Sequence, residues 1–343
     1  MQLVRQTDEK AAERQRRQHR QHRHPGGWTR AVAAVLVIAA LGSACAAGSE
    51  DRGGAGRTGD GGGGGGGPVE SPSGGPGRAG PGAGAEAAKK AEAGKKADAA
   101  AAVKAQALRA VAAKKWKLAK TPLAAPAPPA VKPKIVTRKG FEVTGGASLP
   151  PVFTNVPTKE KVVFLTIDDG AEKDPELLRM MDELKIPYSA FLSDYVINDN
   201  YAYFKKMQAR GVSLHNHTLT HPYLPGLSYE EQKREICGQQ DKIKKRYGKR
   251  PELFRPPYGN YNAGTLRAAK SCGVKAVPLW SSEAFPDHME WREWDRDLHP
   301  GDIVLTHFRG KEDWKGSMPD MIRYVMKKIT DKGYAVAKLE DYV

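Results

Sequence analysis

The sequence predicts an α/β protein: a distorted (β/α) barrel of about seven β/α units, preceded by a disordered N-terminal region. Between residues 141 and 343, short apolar segments alternate with amphipathic helical ones, which is typical of a parallel sheet, closed or open. This part has about 200 residues, somewhat short for eight β/α units. Before residue 141 the sequence is instead rich in Gly, then Ala and Lys, then Pro.

The predicted strands and helices follow in order. Residues 161–167 are almost all apolar, as in a strand buried on both faces. Asp174-Pro175 begins the first helix, because Asp caps helices and Pro fits the first helical position. Ser228 and Glu231 form a capping box whose helix ends at Gly248. The other predicted strands are residues 188–192, 253–255, 276–280, 303–307 and 334–338, and the other helices are residues 200–210, 263–271 and 318–332.

Residues 1–47 are typical of a targeting segment. An Arg/His-rich stretch precedes the apolar run Ala31–Leu41, which is short for a membrane span but fits a secretory signal. Small residues then surround Cys45. Three outcomes stay open: lipidation of Cys45 as in a bacterial lipoprotein, cleavage at Ala44-x-Ala46, or retention as a membrane anchor. Each outcome places the rest of the chain outside the cytoplasm.

Residues 48–140 are predicted to be a disordered linker. The Gly-rich tract up to residue 85 has almost no apolar side chains to offset the entropy lost on ordering. Residues 85–119 are rich in Ala, Glu and Lys, so a lone, partly populated helix is expected there. Its Lys-rich surface suits a solvated spacer, which we favour, or contact with anionic wall polymers or lipid headgroups. Five prolines between residues 122 and 133 indicate an extended stretch.

The positive charge of the chain lies in this N-terminal part. Residues 1–140 contain 25 basic and 10 acidic side chains, whereas residues 141–343 contain 30 and 29. The balance in the C-terminal domain argues against nucleic acid as its partner. The same domain has no apolar run of 18 residues, so a membrane span is not expected in it. We expect a monomer.

Candidate site residues stand at the ends of predicted strands, where barrel active sites are built. Asp168 and Asp169 end the first strand, although Asp169-Gly170 alone is also a common turn sequence. His217 and His221 are four residues apart and share one face if the segment is helical. One carboxylate and two imidazoles indicate a metal site with open positions for water and substrate.

Two more strand ends carry candidates. Residues 255–259, Arg-Pro-Pro-Tyr-Gly, follow one strand, and the prolines fix the directions of Arg255 and of the Tyr258 N–H. The alternative is a rigid surface turn. Leu305-Thr306-His307 ends a late strand, where His307 either faces the same mouth or is an ordinary core histidine.

In this order, Thr-x-Asp-Asp-Gly, His-Thr-x-x-His, Arg-x-Pro-x-Gly and Leu-x-His resemble the polysaccharide deacetylase family, also called the NodB homology domain or carbohydrate esterase family 4. The resemblance covers about residues 155–343. It implies a distorted (β/α) barrel and metal-dependent removal of N- or O-acetyl groups from sugars, most often with Zn²⁺. The implied substrate is peptidoglycan or a chitin-like polysaccharide.

The resemblance implies a role for each matching residue. Three correspond to the metal ligands: Asp169, His217 and His221. Asp168 corresponds to the general base and His307 to the general acid. Arg255 corresponds to the residue that orients the base, and the backbone N–H of Tyr258 to a group that holds the oxyanion. The expected substrate-binding residues are Pro257, Tyr258 and Trp280; like Trp291 and Trp294, Trp280 suits either stacking on a sugar ring or packing.

The fourth motif of the family is altered. Members carry an Asp after a late strand that supports the Arg orienting the base, whereas this sequence offers Glu283 or Asp287 in the corresponding region. The alteration supports a second hypothesis, a glycan-binding module without turnover. A third hypothesis is an O-acetyl esterase that uses the same site.

Cys237 and Cys272 are the remaining cysteines if Cys45 is lipidated or removed. An even pair in an oxidising compartment predicts a disulfide between them. The alternative is two small buried apolar side chains.

Overall fold

The computed structural model describes residues 82–343. The targeting segment with Cys45 and most of the Gly-rich tract lie outside the described residues, so what the sequence predicts for them stays a prediction. Residues 95–343 form one compact unit, and residues 82–94 belong to a second. Within the described part of the chain, no helix is both long enough and apolar enough to cross a membrane.

The described residues contain nine strands and seven α-helices, joined by loops and short 3-10 helices. The strands are β1 (Val152–Phe153), β2 (Val162–Asp169), β3 (Ser189–Leu192), β4 (Ser213–Asn216), β5 (Val277–Pro278), β6 (Ser282–Ala284), β7 (Met289–Trp291), β8 (Ile303–His307) and β9 (Ala335–Val336). The helices are α1 (Gly82–Lys115), α2 (Pro175–Leu184), α3 (Asp194–Ile197), α4 (Tyr201–Ala209), α5 (Tyr229–Tyr247), α6 (Ala263–Ser271) and α7 (Met318–Asp331).

The main sheet has seven strands, six of them in the order β4-β3-β2-β8-β6-β7, with β9 paired to β2. All pairs are parallel except β6 with β7. Every residue of β2 is buried, as its continuous apolar run predicts. The predicted α/β class is confirmed. Closure into a barrel stays a prediction, because the paired strands form an open path and β1 pairs with β5 in a separate sheet.

The predicted strand at residues 253–255 is reduced to two single bridges, Asn216 to Phe254 and Leu253 to Ala276. Pro251 and Pro256 flank this segment and have no N–H to donate, so a longer ladder cannot form. These bridges nevertheless extend the parallel order from β4 towards β5. They place the residue that follows them, Arg255, beside the end of β4.

Helices pack against the sheet because apolar residues recur on one face of each at helical spacing. α2 begins at the Asp174 N-cap and buries its apolar face. α5 begins with the predicted Ser228–Glu231 capping box and ends at Gly248, whose φ is 84°. Cys237 in α5 and Cys272 at the end of α6 form the predicted disulfide, with an S–S distance of 1.99 Å.

Part of the predicted linker is packed on the domain. α1 is solvent-exposed between residues 95 and 108, but Ala112, Ala113 and Trp116 are buried in the main core. Trp116 Nε1 also donates a hydrogen bond to Glu183 Oε2 over 2.7 Å. Residues before 141 therefore contribute contacts to the core of the domain. The sequence did not predict this packing, because the few buried side chains lie in Ala- and Pro-rich sequence and form no periodic apolar pattern.

Candidate metal centre

The candidate residues come from segments at the carboxyl ends of neighbouring parallel strands. Asp168 and Asp169 end β2, His217 follows β4 directly, and His307 ends β8. The register sets Asp168 opposite His307. All four side chains are buried, as is Arg255, so the site is enclosed rather than spread over a surface.

Three potential ligand atoms converge. Asp169 Oδ1 lies 3.5 Å from His217 Nε2 and 3.4 Å from His221 Nε2, and the two Nε2 atoms are 3.2 Å apart. Within residues 82–343, Asp169 Oδ1 has no hydrogen-bond partner although it is buried. A buried carboxylate oxygen facing two imidazole nitrogens fits a divalent cation.

A loop, not a helix, brings the two histidines together. Thr218 and His221 adopt positive φ angles of 72° and 58°. Asn216 Oδ1 accepts a hydrogen bond from the Thr218 N–H, and Thr218 Oγ1 accepts one from the His221 N–H. The two histidines therefore converge without the helical geometry that their four-residue spacing would also allow. The side-chain hydrogen bonds turn the chain back instead.

The remaining contacts of His217 suit a metal ligand. His217 Nδ1 is 2.7 Å from the carbonyl oxygen of Arg255, which only accepts hydrogen bonds. Nδ1 therefore carries the proton and Nε2 keeps its lone pair for a cation. Burial lowers the pKa of His217 to about 4, so the imidazole is neutral at pH 7. Burial alone would raise the pKa of Asp169, but Arg309 and the histidines hold it well below its usual range.

Asp168 is held by Arg255. Arg255 Nη1 donates to Asp168 Oδ1 over 2.7 Å and to Thr166 Oγ1 over 3.0 Å. Its Nε donates to the carbonyl oxygen of Pro278. The second oxygen of Asp168, Oδ2, is 3.7 Å from His217 Nε2. Burial raises the pKa of Asp168 to about 7, and the charges of Arg255 and His307 offset this only in part.

Glu283 is the acidic residue of the altered motif that enters the site. Its Oε1 lies 3.2 Å from His307 Nδ1, whereas Asp287 pairs with His288 at the surface. Burial alone would lower the pKa of His307, but the hydrogen bond and charge of Glu283 raise it. The expected contact of this acid with Arg255 is replaced by one with His307. The reason is that β6 pairs with β8, the strand that ends at His307.

Of the expected substrate-binding residues, Tyr258 lies beside a candidate metal ligand. Tyr258 has a φ of 61°, and its ring centroid is 4.7 Å from that of His221. Pro257 is buried, and Trp280 is half-buried with Arg292 4.6 Å from its ring. Of the other tryptophans, Trp291 packs on the main core and Trp294 is 92% exposed. Stacking of any of them on a sugar stays a prediction.

Arg309 is a site residue that sequence reasoning missed. Its Nη2 lies 2.7 Å from Asp169 Oδ2. It stands two residues after His307, and β8 runs parallel to β2, which ends at Asp169. The position of Arg309 in the sequence could have indicated this contact, because residues just beyond the ends of adjacent parallel strands lie close together.

The comparisons with known proteins agree with this site. The family model "Polysaccharide deacetylase" matches residues 155–277. An uncharacterized protein of Streptomyces coelicolor is 40% identical over 199 residues, which are 58% of this chain and 79% of that protein. A peptidoglycan-N-acetylglucosamine deacetylase of Bacillus cereus is 27% identical over 214 residues, covering 58% of this chain and 94% of the enzyme.

A solved structure, a family 4 carbohydrate esterase from Bacillus anthracis, is 27% identical and superposes with a TM-score of 0.46 over 56% of this chain and 86% of the esterase. The matched residues 155–277 include both aspartates, both histidines and Arg255. The chain therefore belongs to the polysaccharide deacetylase family of hydrolases.

Proposed function

We propose that this protein is a metal-dependent deacetylase that removes N-acetyl groups from peptidoglycan or a chitin-like polysaccharide outside the cytoplasm. The observation that carries the proposal is the convergence of Asp169 Oδ1 with the Nε2 atoms of His217 and His221, beside Asp168 and His307. The name of the Bacillus cereus relative supports an N-acetylated sugar as the substrate. The disulfide supports an oxidising compartment.

Asp169, His217 and His221 would hold the cation. One carboxylate and two neutral imidazoles are ligands that suit Zn²⁺, and three protein ligands leave room for water and substrate. A divalent cation bound there supplies Lewis acidity towards the acetyl carbonyl and the hydrolytic water.

Asp168 would act as the general base. Arg255 fixes one of its oxygens, and the other faces the imidazole cluster where the water would sit. Its pKa of about 7 is that of the protein without a cation, and a nearby positive charge would lower it. The carboxylate is then ionised at neutral pH and can accept the proton of the attacking water.

His307 would act as the general acid. Glu283 contacts its Nδ1 and favours the protonated ring, which leaves the Nε2 proton for the departing amine. An amine leaves poorly unless it is protonated, so this donation is needed to complete the cleavage. The backbone N–H of Tyr258, in a segment fixed by two prolines, would stabilise the oxyanion.

The proposal is tested by acetate release from N-acetylglucosamine oligomers and peptidoglycan. The full chain is stripped of metal with a chelator and assayed with and without added Zn²⁺. We expect Zn²⁺ to restore release. Asp168→Asn should lower the rate by about 10²–10⁴-fold at unchanged zinc content, as for loss of a general base. Asp287→Asn, a surface control, should keep the rate.

Each other result has a distinct meaning. Zinc binding without release from either substrate would contradict the N-deacetylase and favour the glycan-binding module. Release confined to O-acetylated polymers would favour the esterase. Full activity of Asp168→Asn would show that Asp168 is not the base.

A further inference from the structure

Arg309 approaches Asp169 because β8 and β2 are parallel neighbours that end at the same edge of the sheet. The N–H of Phe308 donates to the carbonyl oxygen of Asp168 over 3.0 Å, and the N–H of Glu172 donates to that of Phe308 over 3.0 Å. These bonds join the segments that follow the two strands. The Arg309 side chain, 17% exposed, is thereby directed at the carboxylate of Asp169.

The two oxygens of Asp169 have different surroundings. Oδ2 is 2.7 Å from Arg309 Nη2, within hydrogen-bond distance. Oδ1 faces the two imidazoles and, among residues 82–343, has no hydrogen-bond partner. A carboxylate can bind a cation through one oxygen or through both. With Oδ2 held by the guanidinium, Oδ1 is the oxygen that faces the position between the two imidazoles.

We propose that Arg309 is a positioning residue that restricts Asp169 to binding the metal through one oxygen. This inference rests on the proposed function, since it concerns the same metal. Its consequence is steric: a second carboxylate oxygen would take a coordination position that water or the acetyl carbonyl needs. The guanidinium of Arg309 donates its hydrogen bond to Asp169, so its effect on the metal passes through Asp169.

The backbone contacts of Asp169 do not fix the orientation of its carboxylate. Asp169 has a φ of 76°, a conformation that L-residues rarely adopt. Its carbonyl oxygen is held by the Ser193 N–H, but this contact does not fix the rotation of the carboxylate. The hydrogen bond from Arg309 to Oδ2 fixes that rotation. A second acidic residue, Asp313 Oδ2, lies 4.0 Å from Arg309 Nη1 and helps to keep the guanidinium in place.

The test measures metal coordination in the full chain loaded with Co²⁺, whose visible absorption weakens as its coordination number rises. Arg309→Met removes the donor to Oδ2, and we expect a weaker absorption band than in the wild type. Arg309→Lys keeps a cationic donor and should restore the wild-type band. Arg250→Met, which breaks an arginine–carboxylate pair with Asp241 away from the site, is the matched control and should leave the band unchanged.

A wild-type spectrum for Arg309→Met would overturn the inference, even if the affinity for Co²⁺ changed, because a charge effect alone alters affinity and not ligand number. X-ray absorption of the Zn²⁺-loaded wild type tests the same point without a variant that has to fold. One carboxylate oxygen is expected, and two would overturn the inference. If the wild type binds neither Co²⁺ nor Zn²⁺, the metal site itself fails, and the inference fails with it.

Discussion

Asp168 and Asp169 are consecutive residues whose acidities are shifted in opposite directions. Burial raises the pKa of Asp168 to about 7, while burial of Asp169 is outweighed by Arg309 and the nearby histidines, which keep its pKa low. A permanently ionised carboxylate suits a metal ligand, and one that can exchange a proton near neutral pH suits a base. The two environments therefore support the two proposed roles.

The contact between Glu283 and His307 leads to a prediction about pH. Glu283 stabilises protonated His307, so removing its charge lowers the pKa of the imidazole. The general acid is active only when protonated. We therefore expect the alkaline limb of the pH–rate profile of Glu283→Gln to move to lower pH, with zinc content unchanged. The profile is measured as acetate release across the pH range.

Asp287→Asn is the control for this experiment, because Asp287 is in the same region but pairs with His288 at the surface. Its alkaline limb should coincide with that of the wild type. An unchanged limb in Glu283→Gln would show that Glu283 does not support the acid.

At the scale of elements, α5 is the support of the metal-binding loop. Gln239 Nε2 donates to the carbonyl oxygen of Leu192 at the end of β3, and Asn216 Nδ2 donates to that of Ile236 in α5. The disulfide then ties α5 to α6. The position of His217 thus depends on two helices that lie outside the sheet.

The disulfide is expected to contribute strongly to stability. It closes a loop of 35 residues, for which the lost entropy of the unfolded chain corresponds to about 3–4 kcal/mol. We expect the Cys237→Ala/Cys272→Ala double variant to lose about this free energy of unfolding in a urea titration. The control is wild-type protein with its disulfide verified by counting free thiols. Equal stability of the two would contradict the expectation.

At the scale of the whole molecule, the domain includes residues that precede its catalytic motifs. Trp116, from the segment just after α1, is 8% exposed and packs in the main core. Ile135 packs against another cluster of buried apolar residues, which includes Phe164 of β2. The Arg138 N–H donates a hydrogen bond to the carbonyl oxygen of Val152 in β1. The N-terminal region is therefore partly a structural element of the domain.

Trp116→Ala tests this docking. Removing a buried Trp costs about 3–5 kcal/mol, so we expect a loss of at least about 3 kcal/mol in the free energy of unfolding of the full chain. Leu108→Ala is the matched control, since Leu108 is in α1 but 62% exposed, and it should change stability by less than about 0.5 kcal/mol. Similar values for the two variants would mean that the segment does not dock.

Local patterns were sufficient to predict most helices and the buried strands. α6 and β8 have the predicted bounds, α2 and α5 begin where their capping residues indicate, and α7 begins at the predicted residue 318. The short strands β1, β4, β6 and β7 were not predicted. Strands of two to four residues have too few positions to show a period, and their partners are distant in the sequence.

Most candidate residues of the site could be identified from the sequence alone, because the residue types of the motifs and their order are local properties. How those residues meet depends on the packing of the folded domain. The structure shows that a loop aligns His217 with His221, that Glu283 supports His307, and that Arg309 holds Asp169. Each of these contacts depends on which strands lie side by side and in what register. Strand order and register result from the packing of the whole domain, which no single segment encodes.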